Sequence, residues 1–417
     1  MTCVRTFPVR VLWVVLVLGI SGGLTLSARE TSREPPREAV EEGLVFRYGH
    51  RPGEQYRIVG VNRQEIFLDD ESLGMTEILT RLRVRLDEDR RVHGHYQISG
   101  EVDLGASIFA MDREEQVSFV QHPLGPQEVA ASSFMPQVRD VPSFPERAVS
   151  PGESWEKPGR EVYDFREGFG RSDPLVVPVR VSYTYRGRRE FEGRSFPEIL
   201  IRYSVFFRPS RGTPESGELR LMTGQFSQTL LWDVEAGRPH YYEETYSHFI
   251  QFHDGTRVEL RGTADGRVVD APPLERDRLR DDIEQSILDR NVADTTVRSD
   301  QQGVTIALED IRFAPDSAEL LDSEVEKLEW VAEILKAHPD RDVLVTGHTA
   351  LAGTEEGRQR LSEERAQAVG AFFLERGVRT REQLLYQGKG AREPLDPEDT
   401  PRARRRNRRV EITIMEN

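Results

Sequence analysis

Two short stretches near the C-terminal end of this 417-residue chain determine its most informative region. Residues 346–353 read TGHTALAG, and residues 361–366 read LSEERA. The valine-rich run at 342–345 predicts a strand that enters the Gly-His-Thr turn, and the second stretch predicts a helix that carries Arg365 in its first turns. Backbone N–H groups at a helix N-terminus favour negative charge. The pattern therefore predicts a small polar pocket that can hold a charged ligand group.

Five sequence blocks between residues 301 and 417 resemble the OmpA-like C-terminal domain, by which many envelope proteins of double-membraned bacteria hold peptidoglycan. The blocks are IRFAPDSAEL at 311–320, TGHT at 346–349, LSEERA at 361–366, GKG at 388–390 and NRRVEI at 407–412. The resemblance implies a βαβαβ domain over residues 301–417. It covers none of residues 45–270.

The resemblance also implies a ligand site for the diaminopimelate of the peptidoglycan stem peptide. In the family, an arginine takes the ligand carboxylate and an aspartate takes its ammonium. Arg365 stands where the family arginine stands, and a guanidinium offers a planar fork that matches a carboxylate. The other implied binding residues match the turn, the loop and the last sequence block: His348, Thr349, Gly353 and Arg408.

Two positions depart from the family pattern at this pocket. Ala350 replaces the aspartate, and the loss of a charge-assisted hydrogen bond weakens binding by about tenfold to hundredfold. Arg358 replaces the usual asparagine and places a second cation near the ligand ammonium. Three alternatives follow: Glu355 or Glu356 supplies the missing acceptor, the wall contains a different diamine, or the domain keeps the fold without binding the wall.

The first 28 residues predict a secretory signal peptide. A positive start with Arg5 and Arg10 precedes an apolar run at 11–18, and cleavage fits after Ala28. An uncleaved anchor is the alternative, but three glycines and a serine interrupt the run between residues 19 and 23. Residues 29–44 predict a flexible leader. We expect a periplasmic protein without a spanning helix after cleavage, with outer-membrane association as a further option.

The central part of the chain predicts an antiparallel β-rich domain, so the fold class of the whole chain is α+β. Apolar and polar residues alternate within residues 45–270, which predicts a half-barrel or a sandwich of unknown role. Prolines punctuate residues 105–175 too often for long elements. Residues 271–300 predict a linker helix, because Leu279 and Ile283 recur at helical spacing.

Composition restricts the function. A net charge of −15 argues against nucleic acid as a partner, because phosphate contacts require a basic face. The single cysteine, Cys3, precedes the apolar run, so a processed chain has no disulfide and no cysteine-ligated metal. The sequence contains no P-loop, zinc-protease helix or nucleophile elbow. We therefore predict no catalytic residues, metal or cofactor.

The predicted function is non-covalent contact with peptidoglycan in the cell envelope. Other envelope proteins are further candidate partners. The alternative is an OmpA-like fold without wall binding, which serves as an envelope scaffold or carries an apolar ligand in the β-rich domain.

Overall fold

The computed structural model describes residues 43–100, 108–166, 172–210, 219–270, 272–309, 311, 313 and 320–416. The predicted signal peptide at 1–28 and the predicted leader up to residue 42 lie outside this part. Leu44, within the predicted leader, forms a backbone bridge with Val149. The chain divides into two compact units. The first contains the described residues up to Tyr96 and those of Glu114–Asp270; the second contains the described residues of Gln97–Arg113 and Ala271–Asn417.

The first unit is strand-rich. Its strands, of which β3 and β4 continue into the second unit, are β1 (Gln55–Leu68), β2 (Glu71–Leu86), β3 (Arg91–Gly100), β4 (Phe109–Gln121), β5 (Gln127–Val129), β6 (Val138–Arg139), β7 (Ser154–Tyr163), β8 (Leu175–Phe191), β9 (Arg194–Phe207), β10 (Leu219–Asp233), β11 (Arg238–Phe252) and β12 (Arg257–Asp270). Antiparallel pairing gives the order β2–β1–β12–β11–β10–β9–β8–β7–β6.

The predicted alternation of apolar and polar residues is confirmed on β8. Its residues alternate between buried and exposed over most of the strand, because one face of the sheet packs on a core. The prediction that residues 105–175 lack long elements is wrong at both ends of that range. Strands β4 and β7 have 13 and 10 residues, respectively. They flank the stretch from Pro123 to Pro151, where only the short strands β5 and β6 form.

The sheet of the first unit is strongly curled. Strands β7 and β11 are separated by three strands, so a flat sheet would hold them about 19 Å apart. Instead, the hydroxyl of Tyr163 on β7 lies 3.2 Å from Nε2 of His248 on β11. Side chains can meet in this way only when the sheet bends around its own inner face. The curl agrees with the half-barrel form of the prediction.

Side chains fill the inside of the curled sheet. Trp232, Tyr183 and Tyr185 are completely buried there. Phe46 and Phe144, from segments outside the strands, stack with ring centroids 5.5 Å apart. A cavity of about 110 Å³ remains. An engineered cavity of about 150 Å³ holds a benzene molecule, so this volume is too small for a lipid acyl chain. Among the described residues, this cavity has no room for a lipid acyl chain.

The second unit combines helices with a mixed sheet. Its strands are β13 (Thr295–Asp300), β14 (Gly303–Glu309), β15 (Val343–Gly347), β16 (Leu384–Gly388) and β17 (Arg409–Met415), and its helices are α1 (Arg276–Arg290), α2 (Asp322–Lys336), α3 (Glu355–Glu375) and α4 (Pro401–Asn407), with a 3₁₀ turn at Arg381–Gln383. The order is β13–β14–β17–β15–β16, and within it only β15 and β16 pair in parallel. Of the helices described, none has the length and hydropathy needed to cross a membrane.

The segment predicted as a linker helix is part of this second unit. Helix α1 buries Leu279 and Ile283 in the core of the unit. The indole of Trp330 on α2 donates to the hydroxyl of Ser286 on α1 at 2.9 Å. The same predicted segment also contains strand β13, which pairs with β14. The apolar residues that recur at helical spacing in this segment therefore pack α1 onto the core of the second unit.

An early segment of the chain also completes the second unit. Phe109 and Ala110 pair in parallel with Leu385 and Tyr386 on β16. Ile108 is completely buried in the core of the unit. A Cβ atom on Gly370 would lie 2.2 Å from Ile108 Cδ1, so the end of this side chain packs directly against the glycine of α3. The predicted domain at 301–417 lacked this segment.

Two glutamates and a histidine are buried inside the first unit. Burial raises the pKa of Glu161 to about 7, although Tyr203 donates a hydrogen bond to Glu161 Oε1 at 2.6 Å. Burial also raises the pKa of Glu244 well above its usual range and lowers the pKa of His248 to about 4. The fold therefore favours the neutral form of each group.

Replacing Glu161 by glutamine removes an ionisation that the fold opposes. The stability that the protonated form contributes is present in full below the unfolded-state pKa of 4.5 and is lost as the pH rises through about 7. We expect Glu161→Gln to change the free energy of unfolding little at about pH 5. At about pH 8 it should raise that free energy by about 3 kcal/mol relative to the unsubstituted protein.

Urea unfolding at both pH values measures this difference. His248 has the opposite effect, because its lowered pKa removes stability as the pH falls. The variant and the unsubstituted protein are therefore compared with each other at each pH. Glu156→Gln is the control, because Glu156 lies on the same strand with 60% of its side chain exposed. Equal pH dependence of Glu161→Gln and the unsubstituted protein would contradict the prediction.

Candidate functional site

The candidate site begins where strand β15 ends. All five residues of β15 are buried, between β16 on one side and β17 on the other. The chain then turns at His348, whose N–H donates to Arg409 O at 2.9 Å. The N–H of Thr349 donates to Gly390 O, also at 2.9 Å. The turn is therefore fixed by backbone hydrogen bonds to both neighbouring segments.

Two glycines allow helix α3 to lie directly against the strand ends. A Cβ atom on Gly347 would lie 2.0 Å from Ser362 O, and one on Gly388 would lie 2.5 Å from Ser362 Oγ. Either contact is far shorter than a van der Waals contact. Ser362 Oγ donates to Gln359 O at 2.7 Å and accepts from Gly390 N at 2.9 Å, so this buried hydroxyl is satisfied.

Helix α3 begins earlier than the sequence pattern suggested. It starts at Glu355, and the N-cap Thr354 accepts a hydrogen bond from Gly357 N at 3.1 Å. Glu355 and Glu356 lie in its first turn, where carboxylates interact favourably with the helix dipole. Both side chains are exposed. The two carboxylates of the first turn are therefore in contact with solvent.

Arg365 lies on α3 and is half-buried. Its guanidinium carbon is 4.8 Å from the ring centroid of Phe313, which is a cation–π contact. A guanidinium stacked on a ring keeps its N–H donors in its own plane, where they can meet a carboxylate edge-on. Phe313 belongs to a sequence block recognised above, but its role as a platform was not predicted.

The predicted site residue His348 is almost completely buried, with 2% of its surface exposed. Its Nε2 lies 3.7 Å from Glu411 Oε2, an electrostatic contact longer than a hydrogen bond. Burial lowers the pKa of His348. Thr349 is also buried, and its hydroxyl has no hydrogen-bond partner among the described residues. These two side chains lie below the pocket surface.

A buried ionic group supports the turn from β17. Arg409 Nε donates to Glu411 Oε1 at 2.7 Å, and Arg298 Nη2 donates to Glu411 Oε2 at 2.8 Å. Burial alone would raise the pKa of Glu411, but the nearby His348, Arg298 and Arg409 hold that pKa well below its usual range. Glu411 therefore stays ionised and pairs with both guanidinium groups.

The structure distinguishes the two arginines of the last sequence block. Arg408, the predicted ligand-binding residue, is half-buried at the end of α4. Arg409 is the buried member of the pair, with 4% exposure, and Nη2 donates to Glu393 O at 3.1 Å. Sequence reasoning missed the structural role of Arg409 and Glu411. The signal for it was the RRVE pattern, whose alternate residues point to the same face of a strand.

The two departures from the family pattern lie close together, Ala350 in the loop between β15 and α3 and Arg358 at the start of α3. Ala350 is 8% exposed and offers no acceptor for a ligand ammonium. Arg358 Nη1 donates to Gly353 O at 2.6 Å, so this cation ties the loop to the helix. Gly353 itself has a φ of +79°, which glycine adopts without strain. Arg358, the predicted second cation near the pocket, thus also stabilises the loop through its hydrogen bond to Gly353.

The fold and this site define a domain class. A buried strand leads into a Gly-His-Thr turn, and the helix that carries Arg365 packs closely against the end of that strand. Residues 312–408 match the OmpA family. The chain therefore carries an OmpA-family domain.

Named relatives share this part of the chain. The peptidoglycan-binding protein ArfA of Mycobacterium tuberculosis is 38% identical over 104 residues, which is 25% of this chain and 32% of that protein. The peptidoglycan-associated lipoprotein of Legionella pneumophila is 32% identical over 100 residues, 24% of this chain and 56% of that protein. The chain thus spans about a third and about half of these relatives, respectively.

A solved structure also aligns with part of this chain. The cell wall anchor of the type VI secretion system (T6SS) from Pseudomonas aeruginosa has 28% identity and a TM-score of 0.28. The alignment covers 34% of this chain and 99% of that one.

Removing the charge of Glu411 should destabilise the second unit. Glu411→Gln leaves the buried Arg409 without its carboxylate, so we expect the free energy of unfolding to fall by about 3 kcal/mol at neutral pH. The lowered pKa of Glu411 means that its stabilisation is present above its unfolded-state value of 4.5 and is lost as the pH falls below it. Differential scanning calorimetry from about pH 7 to about pH 3 measures both effects.

Glu375→Gln serves as the control for this experiment, because Glu375 is an exposed glutamate at the end of α3. Its effect should stay within about 0.5 kcal/mol. If Glu411→Gln were as stable as this control, the buried group would not support the turn.

Proposed function

We propose that this chain is an exported envelope protein that contacts peptidoglycan non-covalently through its OmpA-family domain. The proposal rests on one observation above the others: the domain places Arg365 on a helix packed against the Gly-His-Thr turn. The names of the relatives, peptidoglycan-binding and peptidoglycan-associated, support the same ligand. A periplasmic location, with association to the outer membrane as an option, follows from the proposed ligand and the predicted signal peptide.

Arg365 is proposed to hold a carboxylate of the stem peptide. The ring of Phe313 restrains the guanidinium, which lowers the entropy lost when a ligand is bound. A planar guanidinium can then form two parallel hydrogen bonds with one carboxylate.

We propose that this domain binds the ligand ammonium less tightly than a family domain that has the aspartate. Ala350 gives the ammonium no acceptor, and the cation of Arg358 lies at the same loop. The exposed Glu355 and Glu356 are proposed as substitute acceptors for the ammonium. A carboxylate at the surface gains little free energy from such a pair, so this substitution compensates only in part. We therefore propose weak contact with peptidoglycan.

Arg365 should determine how much protein sediments with insoluble peptidoglycan. We expect Arg365→Ala in the full chain to raise the apparent dissociation constant by about tenfold or more, since a charged hydrogen bond is lost. Arg360→Ala is the matched control, because Arg360 lies on the same helix with 80% of its side chain exposed. The control should change the constant by less than about twofold. Equal losses for both variants would refute the assigned role of Arg365.

Restoring an acidic residue at position 350 should strengthen the contact. Ala350→Asp supplies an acceptor for the ligand ammonium, so we expect about tenfold to hundredfold tighter binding to peptidoglycan that contains diaminopimelate. Leu351→Asp, at an exposed neighbouring position, has the same net charge and should bind like the unsubstituted protein. A gain in both variants, or in neither, would argue against an ammonium subsite at Ala350.

The absence of the acceptor also favours a second candidate function. An OmpA-family fold without wall binding can serve as a scaffold that docks on other envelope proteins. If neither the unsubstituted protein nor Ala350→Asp sedimented with peptidoglycan, the scaffold would become the better account. In both cases we propose a binding role and no catalysis.

A further inference from the structure

The first unit contains a small, partly enclosed cavity that the peptidoglycan proposal does not use. Its volume is about 110 Å³. A cavity of about 150 Å³ accepts benzene, so this one accepts a group of about four carbon atoms. Most of its wall is apolar, formed among others by Leu82, Val84, Val92, Phe119 and Val138. The cavity therefore suits a short branched aliphatic side chain.

One cation faces this apolar cavity without an acidic partner. Arg90 lines it, and its Nε and Nη2 donate to backbone carbonyls, Gln121 O at 3.2 Å and Tyr48 O at 3.1 Å. No carboxylate pairs with Arg90 in the part of the chain that the structure describes. Burial lowers the pKa of Arg90, because the surroundings disfavour its charge. The carbonyls hold the guanidinium in place but leave its charge uncompensated.

The other polar groups at the cavity complete a pattern. Arg238 Nη1 lies 3.1 Å from Glu54 Oε1, so these two charges neutralise each other. Gln137 is 93% buried (7% exposed), and its Oε1 has no hydrogen-bond partner among the described residues. A buried acceptor without a donor is unfavourable unless a ligand or water supplies one. The cavity thus offers one cation, one acceptor and an apolar wall.

We propose that this partly enclosed cavity takes up the branched aliphatic side chain, of about four carbon atoms, of a small carboxylate that carries an adjacent N–H donor. The carboxylate meets Arg90, the N–H donates to Gln137 Oε1, and the side chain lies against Val84 and Val92. Free leucine has this chemistry, and so does the C-terminal leucine of a peptide. The two sources differ only in the nitrogen, which is an ammonium in the first and an amide in the second.

Isothermal titration calorimetry of the full chain with N-acetyl-leucine tests the proposal. We expect saturable binding at one site. N-acetyl-leucinamide has the same shape without the charge and should bind about tenfold or more weakly, because the bond to Arg90 loses its charge assistance. Tighter binding of free leucine than of N-acetyl-leucine supports the free amino acid as the source, and the reverse order supports a peptide C-terminus.

Two variants locate the binding in the cavity. Arg90→Gln should weaken N-acetyl-leucine about tenfold while leaving the amide unchanged, and Val84→Phe should abolish binding by filling the space. Arg85→Gln is the matched control, since Arg85 is an exposed arginine on the neighbouring strand β2. No saturable heat, equal affinity for acid and amide, or unchanged affinity in both Arg90→Gln and Val84→Phe would overturn the proposal.

Discussion

The position of Arg365 depends on how closely helix α3 lies against the ends of β15 and β16. Gly347 and Gly388 have no side chains at this contact, and any Cβ atom there would collide with Ser362. Because Ser362 and Arg365 are three residues apart, they lie on the same side of the helix. The contact at Ser362 thus sets how closely the backbone of Arg365 lies to the strand ends. The candidate pocket is positioned by the core of the domain and not by its surface loop.

This constraint separates the fold from the ligand chemistry. The turn is held by backbone hydrogen bonds from His348 and Thr349, and by the buried charges of Arg409 and Glu411 beneath it. None of these contacts involves the side chain at position 350. A change from aspartate to alanine there leaves the fold its full set of supports, yet removes the acceptor for a ligand ammonium. Fold and affinity can therefore change independently in this domain.

Local patterns predicted the parts of the fold that depend on local chemistry. Alternating residues predicted the strands of the first unit, and the sequence blocks predicted the turn and the helix that carries Arg365. Contacts between residues far apart in the sequence could not be predicted from local patterns. The packing of Ile108 on Gly370 in the second unit joins segments separated by more than half of the chain. The start of α3 was missed because Thr354 acts as a cap within a polar stretch.

The side-chain Nε–H signal of Arg365, followed by NMR during titration with a soluble stem-peptide fragment, tests the central claim most directly. The account predicts that this signal moves progressively with added fragment and that signals of exposed arginines elsewhere on α3 stay in place. A fragment that binds while the Arg365 signal remains unchanged would contradict the account.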